Sequence, residues 1–144
     1  MASSADPFDL ARFVTAQADG YPQALAEIRN GQKETHWMWF IFPQISGLGS
    51  SAMAKRYAIR NLDETNAYLH HPVLGPRLQT CCEAVLSLPD LNPFEVFGSP
   101  DDMKLQSSMT LFGQVASANC CFQRVLDYGY NGQPCARTLA LLAG

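Results

Sequence analysis

The chain has 144 residues, of which 47% are apolar and 16% charged, and a formal net charge of −3. This composition excludes a disordered chain and removes any bulk electrostatic attraction to nucleic acid. No apolar run approaches the ~20 residues of a membrane span and the start lacks the basic and apolar regions of a signal peptide, so a cytoplasmic protein with no membrane partner is expected.

A chain of this length buries about 68–70% of the surface its unfolded form exposes, enough for one real core. We therefore expect a single all-α domain over residues 7–144, with residues 1–6 disordered. The five cysteines are odd in number, fall partly in the adjacent pairs Cys81-Cys82 and Cys120-Cys121, and show no C-x-x-C spacing. They read as buried free thiols, and no metal site or cofactor is expected.

In chain order, Asp6-Pro7 reads as a helix start, with Leu10, Phe13 and Val14 at i, i+3 and i+4, and this first helix ends before Asp19-Gly20. A second helix begins near Pro22, carries Leu25 and Ile28, and stops at Asn30-Gly31. Residues 35–51 read THWMWFIFPQISGLGSS, and as a helix the part over 37–42 is apolar nearly all round. That pattern predicts a short buried helix, capped by Thr35 and ended by Pro43, with other helices packed on every side. A strand is the alternative for so short a run, although only Ile41 is β-branched.

Ser50 or Ser51 then caps a helix through Ile59, where Lys55, Arg56 and Arg60 bring positive charge near the glycine turn. Asp63 is expected to cap a helix over 64–70, and His70-His71-Pro72 makes a corner. Leu74, Leu78, Cys81, Cys82, Val85 and Leu86 follow at helical spacing, with Gly75-Pro76 setting the regular start at Pro76. After a loop at 89–93, a helical turn at 94–97 ends at Gly98. Ser99-Pro100-Asp101-Asp102 is a helix-start pattern: a serine cap, a proline, then two carboxylates where the helix dipole favours them. The helix runs to about Ala116, with an apolar stripe of Leu105, Met109, Phe112 and Ala116 and a polar strip of Lys104, Ser107 and Ser108. Asn119 caps a helix with Phe122, Val125 and Leu126 that closes near Gly129, and Pro134 opens a last one through Leu139 and Leu142. The sum is eight or nine short helices around a central aromatic helix, with no internal repeat.

Four stretches carry a resemblance: HWMWFIFPQISGLG at 36–49, MAKRYAI at 53–59, AYLHHPVLGPRL at 67–78 and FGSPDDMKLQSSMTLF at 97–112. In order and spacing they resemble a bacterial family of single-domain proteins of unknown function that genome annotation often labels "calpastatin". The resemblance implies a compact all-α fold and carries no activity, cofactor or catalytic residue. The calpastatin label does not suit a chain built to bury a core, since that inhibitor resembles an extended, disordered chain.

The residues themselves suggest a pocket in which His36, Trp37, Trp39 and Gln44 meet Arg56, Tyr57 and the Lys104, Ser107, Ser108 strip. Aromatic walls, a few directional polar groups and a cation are the usual make-up of a small-molecule site, and the amides near Gly47 and Gly49 would add donors. The turn is not a Walker A loop, because no Gly-Lys-Ser/Thr follows, and it lacks the dinucleotide fingerprint. The expected ligand is small and anionic, nucleotide-like or phosphorylated, and hydrolysis or transfer on a nucleotide derivative would use His36 or Asp101 as acid/base.

Each of these residues also has a purely structural account. Tryptophans beside a lone histidine make an ordinary core cluster, paired carboxylates stabilise a helix start, and Lys104 precedes Ser107 in the order opposite to a Ser-x-x-Lys dyad. The main alternative is a protein-interaction module without ligand chemistry, which calls for a flat apolar patch, whereas a ligand site calls for Trp39 partly open beside Lys104. Nucleic-acid binding would need Lys55, Arg56, Arg60, Arg77 and Arg124 on one face.

Overall fold

The computed structural model describes residues 6–117 and 120–144, which form nine helices and no strand. The long α1 (Ala11–Arg29) lies across α5 (Leu74–Leu86) and α2 (Met38–Ile41). Five helices pack against α7 (Asp101–Gly113): α2, α4 (Leu62–His70), α6 (Pro93–Phe97), α8 (Cys121–Gly129) and α9 (Ala136–Ala143). The short α3 (Ala52–Arg56) stands beside the glycine turn.

Two aromatic clusters fill the interior. Trp37, Phe42 and Phe97 meet pairwise with ring centroids 6.3 Å apart. Phe13, Tyr68, Phe112 and Phe122 form a chain at 5.1, 5.2 and 5.7 Å, within the spacing at which tilted and edge-on rings attract. The centre is thus shared: Trp37, Met38, Ile41 and Phe42 are buried, whereas Trp39 and Phe40 are only half-buried, so the central segment is not enclosed all round.

Several helix boundaries differ from the sequence expectation. The two N-terminal helices are one, with Pro22 inside α1. Proline removes an N–H and crowds the carbonyl four residues back, but Ala18 and Pro22 are both exposed, so that carbonyl can turn to water while the opposite face stays packed. Gly20 admits the Phe40 ring, which would lie 2.5 Å from a Cβ there. Asp6, grouped with the disordered start, holds the backbone N–H groups of Leu10 and Ala11 at 2.7 and 3.0 Å, while residues 1–5 lie outside the described residues.

Thr35 does not cap α2; its hydroxyl donates to Glu27 instead. The caps of α3 and α4 are Ser51 and Asn61, the latter in place of Asp63, because the Asn61 oxygen reaches the Glu64 N–H at 2.9 Å. The start of α5 lies at Leu74 rather than Pro76, since His71 Nδ1 accepts from the Val73 and Leu74 amides and begins the turn early. Ser99 does not cap α7, which ends at Gly113 rather than Ala116. Asn119 lies outside the described residues, and the α8 cap is Cys120.

An ion-pair hub, Arg12 with Glu64, ties the frame together. Buried Glu64 accepts from Arg12 at 2.9 Å and from the Arg60 side chain and backbone at 3.2 and 3.0 Å. Arg12 also donates to the carbonyls of Phe8, Asp9, Arg56 and Ala58. This fixes the segment after α3 against α1. The segment is fixed on its other side by an isolated parallel bridge: Ile59 N donates to Gln44 O and Ser46 N to Ile59 O, both at 2.8 Å.

Candidate functional site

That bridge sets the Gln44 to Gly49 turn beside Tyr57 and Ala58, and together they line a cavity of about 590 Å³. The glycines serve close packing. A Cβ on Gly49 would lie 2.7 Å from the Ala54 Cβ, and Gly47, at φ 106°, faces Leu141 of α9. Opposite the turn, α7 contributes Met103, Lys104 and Ser107, and the start of α9 contributes Cys135 and Arg137. Trp39 stands on the wall, with Lys104 Nζ 5.0 Å from its ring centroid, a cation–π separation.

The electrostatics are one-sided. Lys55, Lys104 and Arg137 line the cavity, and among the described residues no carboxylate does. Asp101 lies just outside, where Lys33 Nζ meets one carboxylate oxygen at 2.8 Å and Lys104 Nζ meets the other at 3.5 Å. Arg137 reaches back to the Gly47 carbonyl at 3.5 Å, linking α9 to the turn.

Seven of the residues expected at a site line this cavity: Trp39, Gln44, Gly47, Gly49, Tyr57, Lys104 and Ser107. The others are elsewhere. Trp37 is in the core, its indole N–H bound to Glu27 at 2.8 Å. Ser108 is wholly buried on the inner side of α7 and its hydroxyl has no partner among the described residues. Arg56 lies over the Tyr57 ring at 5.5 Å, outside the cavity, and the neighbouring Tyr57 hydroxyl raises its pKa above the ordinary value. His36 is exposed and does not line the cavity, so neither it nor the ion-paired Asp101 is placed as an acid/base within it. The cations invoked for nucleic acid are engaged separately: Arg60 with Glu64, Arg77 over Tyr21, and Arg124 with Glu83.

Sequence reasoning missed Cys135 and Arg137. The available signal was Pro134 before a helix start, which sets Cys135 at the N-cap position and Arg137 in the first turn. For Cys135, burial acts to raise the pKa. The hydroxyls of Ser107 and Thr138 and the amides of Thr138 and Arg137 outweigh that effect, and the thiol falls below the usual cysteine value. Cys81, by contrast, is pushed up to about 12 by burial in the core.

Fold and cavity together define a single-domain all-α protein with a cationic, aromatic-walled recess between a glycine turn and two helix ends. The model of a family described as a protein of unknown function, DUF1810, matches residues 7–142, and the chain belongs to that family. It is similar over 96% of its length, at 52% identity and a TM-score of 0.94, to the conserved hypothetical protein Rv1873 from Mycobacterium tuberculosis, whose crystal structure at 1.38 Å is covered over 99% of its chain. Among curated proteins none matches the sequence.

Proposed function

We propose that the cavity binds a small anionic molecule, phosphorylated or nucleotide-like. The observation that carries this reading is the lining: Lys55, Lys104 and Arg137, with no carboxylate among the described residues that line it. Three cations gathered around a recess repel one another, and an anion relieves that repulsion while its field is strengthened by the low-dielectric walls. Trp39 and Tyr57 supply flat apolar faces on which a base or ring can rest, and Gln44 and Ser107 supply directional hydrogen bonds. The volume of about 590 Å³ lies within the usual range of small-ligand pockets, roughly 300–1,000 Å³.

The arrangement favours this reading over a protein-interaction module, because Trp39 is half-buried in a concavity beside Lys104 rather than set in a flat patch. Single exposed apolar side chains such as Phe94 are ordinary on protein surfaces.

The test is a thermal-shift and calorimetric titration with inorganic phosphate, nucleoside phosphates and sugar phosphates. A ligand at 100 times its dissociation constant stabilises by about 2.7 kcal/mol, and Lys104→Ala and Arg137→Ala should each abolish most of that gain. A wild-type protein that no phosphorylated compound stabilises would overturn the reading and move attention to protein partners.

A further inference from the structure

Anion binding leaves one cavity residue without a role. Cys135 occupies the N-cap position of α9 and lines the cavity with the three cations. Its backbone is fixed by an N–H donated to Thr110 Oγ1 at 2.8 Å. The Ser107 hydroxyl lies 3.2 Å from the sulfur and 3.0 Å from the Met103 carbonyl, so its one proton can serve either acceptor. Thr138, three residues along the chain from Cys135, is wholly buried, and its hydroxyl has no hydrogen-bond partner among the described residues. Thr138 is the third residue of the helix that Cys135 caps, the position whose side chain reaches back toward the cap in a capping box. A buried hydroxyl without a partner is costly, and a thiolate at Cys135 gives it a strong acceptor.

We propose that Cys135 is a nucleophile and that the cavity is a site of covalent group transfer, taking a small electrophile with an anionic leaving group of the acyl-phosphate type. The nucleophile stands on the geometry around Cys135, and the choice of donor rests on the anion-binding reading. Among the described residues no histidine or carboxylate lines the cavity to protonate a leaving group, which selects substrates whose leaving group departs as a stable anion. In the step, the thiolate sulfur attacks the carbonyl carbon and a C–S bond forms. The bond from that carbon to the phosphate oxygen breaks, and its electron pair leaves with the phosphate, which Lys55, Lys104 and Arg137 receive. The acyl phosphate reacts as its monoanion, whose phosphoryl proton stays on the departing group, so the protein supplies no proton and the products are a thioester on Cys135 and the hydrogen phosphate dianion. Ser107 and Thr138 act as positioning residues, donating to the thiolate before attack.

The experiment follows the intact protein by mass spectrometry with acetyl phosphate as donor, and measures alkylation by neutral iodoacetamide in parallel. We expect one hydroxylamine-labile acetyl group, mapped to Cys135 and absent in Cys135→Ala, with phosphate protecting against it. Thr138→Val and Ser107→Ala should each slow iodoacetamide at neutral pH by roughly 3- to 10-fold and move the pH profile upward, as loss of a hydrogen bond to the anion requires. The double variant Lys104→Ala/Arg137→Ala should slow acetylation more than alkylation. If iodoacetamide modifies Cys135 in the folded protein no faster than in the urea-unfolded chain, the nucleophile is overturned. Rapid alkylation without acetylation overturns the donor class alone. Failure of phosphate to protect a reactive Cys135 counts against the anion-binding reading and leaves the nucleophile standing.

Discussion

Glu27 and Trp37 are joined by a hydrogen bond of 2.8 Å from the indole Nε1 to the carboxylate, deep between α1 and the segment that leads into α2. The same carboxylate accepts from the backbone N–H groups of Glu34 and Thr35, the Thr35 hydroxyl and the Gln23 amide, at 2.6 to 3.0 Å. Glu27 is only 2% exposed, so a charge has been kept inside by surrounding it with donors. Trp37 is core for this reason: its one polar atom has a buried acceptor, and the ring is free to pack on Phe42 and Phe97.

Removing that acceptor strands several donors at once. Glu27→Ala should cost about 3–5 kcal/mol, the range for a broken buried charged network, and Glu27→Gln about 1–2 kcal/mol because the amide oxygen still serves one side. Urea denaturation of both variants at neutral pH would measure the difference, and equal losses would refute the donor account.

The same carboxylate sets an acid limit. Burial alone would raise its pKa, but the hydrogen bonds from Thr35, Gln23 and Glu34 hold it well below the ordinary carboxylate value. A depressed pKa gives stability that is fully present above the unfolded value of about 4.3 and drains away as pH falls toward the folded one. Wild type should therefore lose stability steeply below about pH 4, and Glu27→Gln should show a shallower slope there. Parallel slopes would mean that another carboxylate governs acid unfolding.

Arg12 makes five donor contacts, to four carbonyls and Glu64, and so uses the whole guanidinium fork. Lysine keeps the charge but has three donors on one atom and cannot span the same acceptors. Arg12→Lys should cost about 2 kcal/mol by the loss of two or more charged hydrogen bonds. Because Arg12 holds the Arg56 and Ala58 carbonyls, the variant should also weaken binding in the cavity, whose wall includes Tyr57 and Ala58. Unchanged binding in a destabilised variant would show that the wall is held by the Ile45 and Ile59 bridge alone.

Two glycines in helices give opposite expectations for the same substitution. At Gly75 a Cβ would lie 2.1 Å from the Leu69 carbonyl oxygen, where backbone from α4 crosses the start of α5, and Gly75→Ala must push the two helices apart. A loss of about 2–3 kcal/mol is expected from such overpacking. At Gly113 a Cβ would meet nothing within 4 Å, and Gly113→Ala should gain about 0.5 kcal/mol through the lost freedom of the unfolded chain. Thermal melts of the pair would check the signs.

The all-α class and most helices were legible because apolar periodicity and turn residues act locally. What was not legible depended on partners far along the chain. Pro22 marks a break by its own chemistry, yet the packing of α1 on α5 and α2 carries the helix through it. Trp37 and Trp39, two residues apart, read as equivalent walls, but only the position of Glu27 sends one inward and leaves the other beside Lys104. Seven cavity residues were found because the glycine turn and the polar strip of α7 were both conspicuous. Arg137 and Cys135 join them from the end of the chain, through the packing of α9 on α7, which no local pattern encodes.

Asp101 offers a way to separate catalysis from electrostatic tuning. Its carboxylate bridges Lys33 and Lys104 and partly neutralises the cation that faces Trp39. Were it an acid/base, Asp101→Asn would abolish any turnover at the site. As a charge outside the lining, its removal should instead free Lys104 and make the cavity more positive. One charge at ~6 Å in a water-like medium contributes about 0.5–1 kcal/mol, so phosphate affinity should rise roughly two- to five-fold, with a steeper fall as salt is added. The cost falls on stability, because the Lys33 side chain is only 7% exposed and loses its carboxylate partner, keeping only the Thr35 carbonyl as a hydrogen-bond acceptor. Calorimetric titration with phosphate at two ionic strengths decides between these outcomes: tighter, salt-sensitive binding supports the tuning role, and weaker binding shows that Asp101 is needed to hold Lys104 in place.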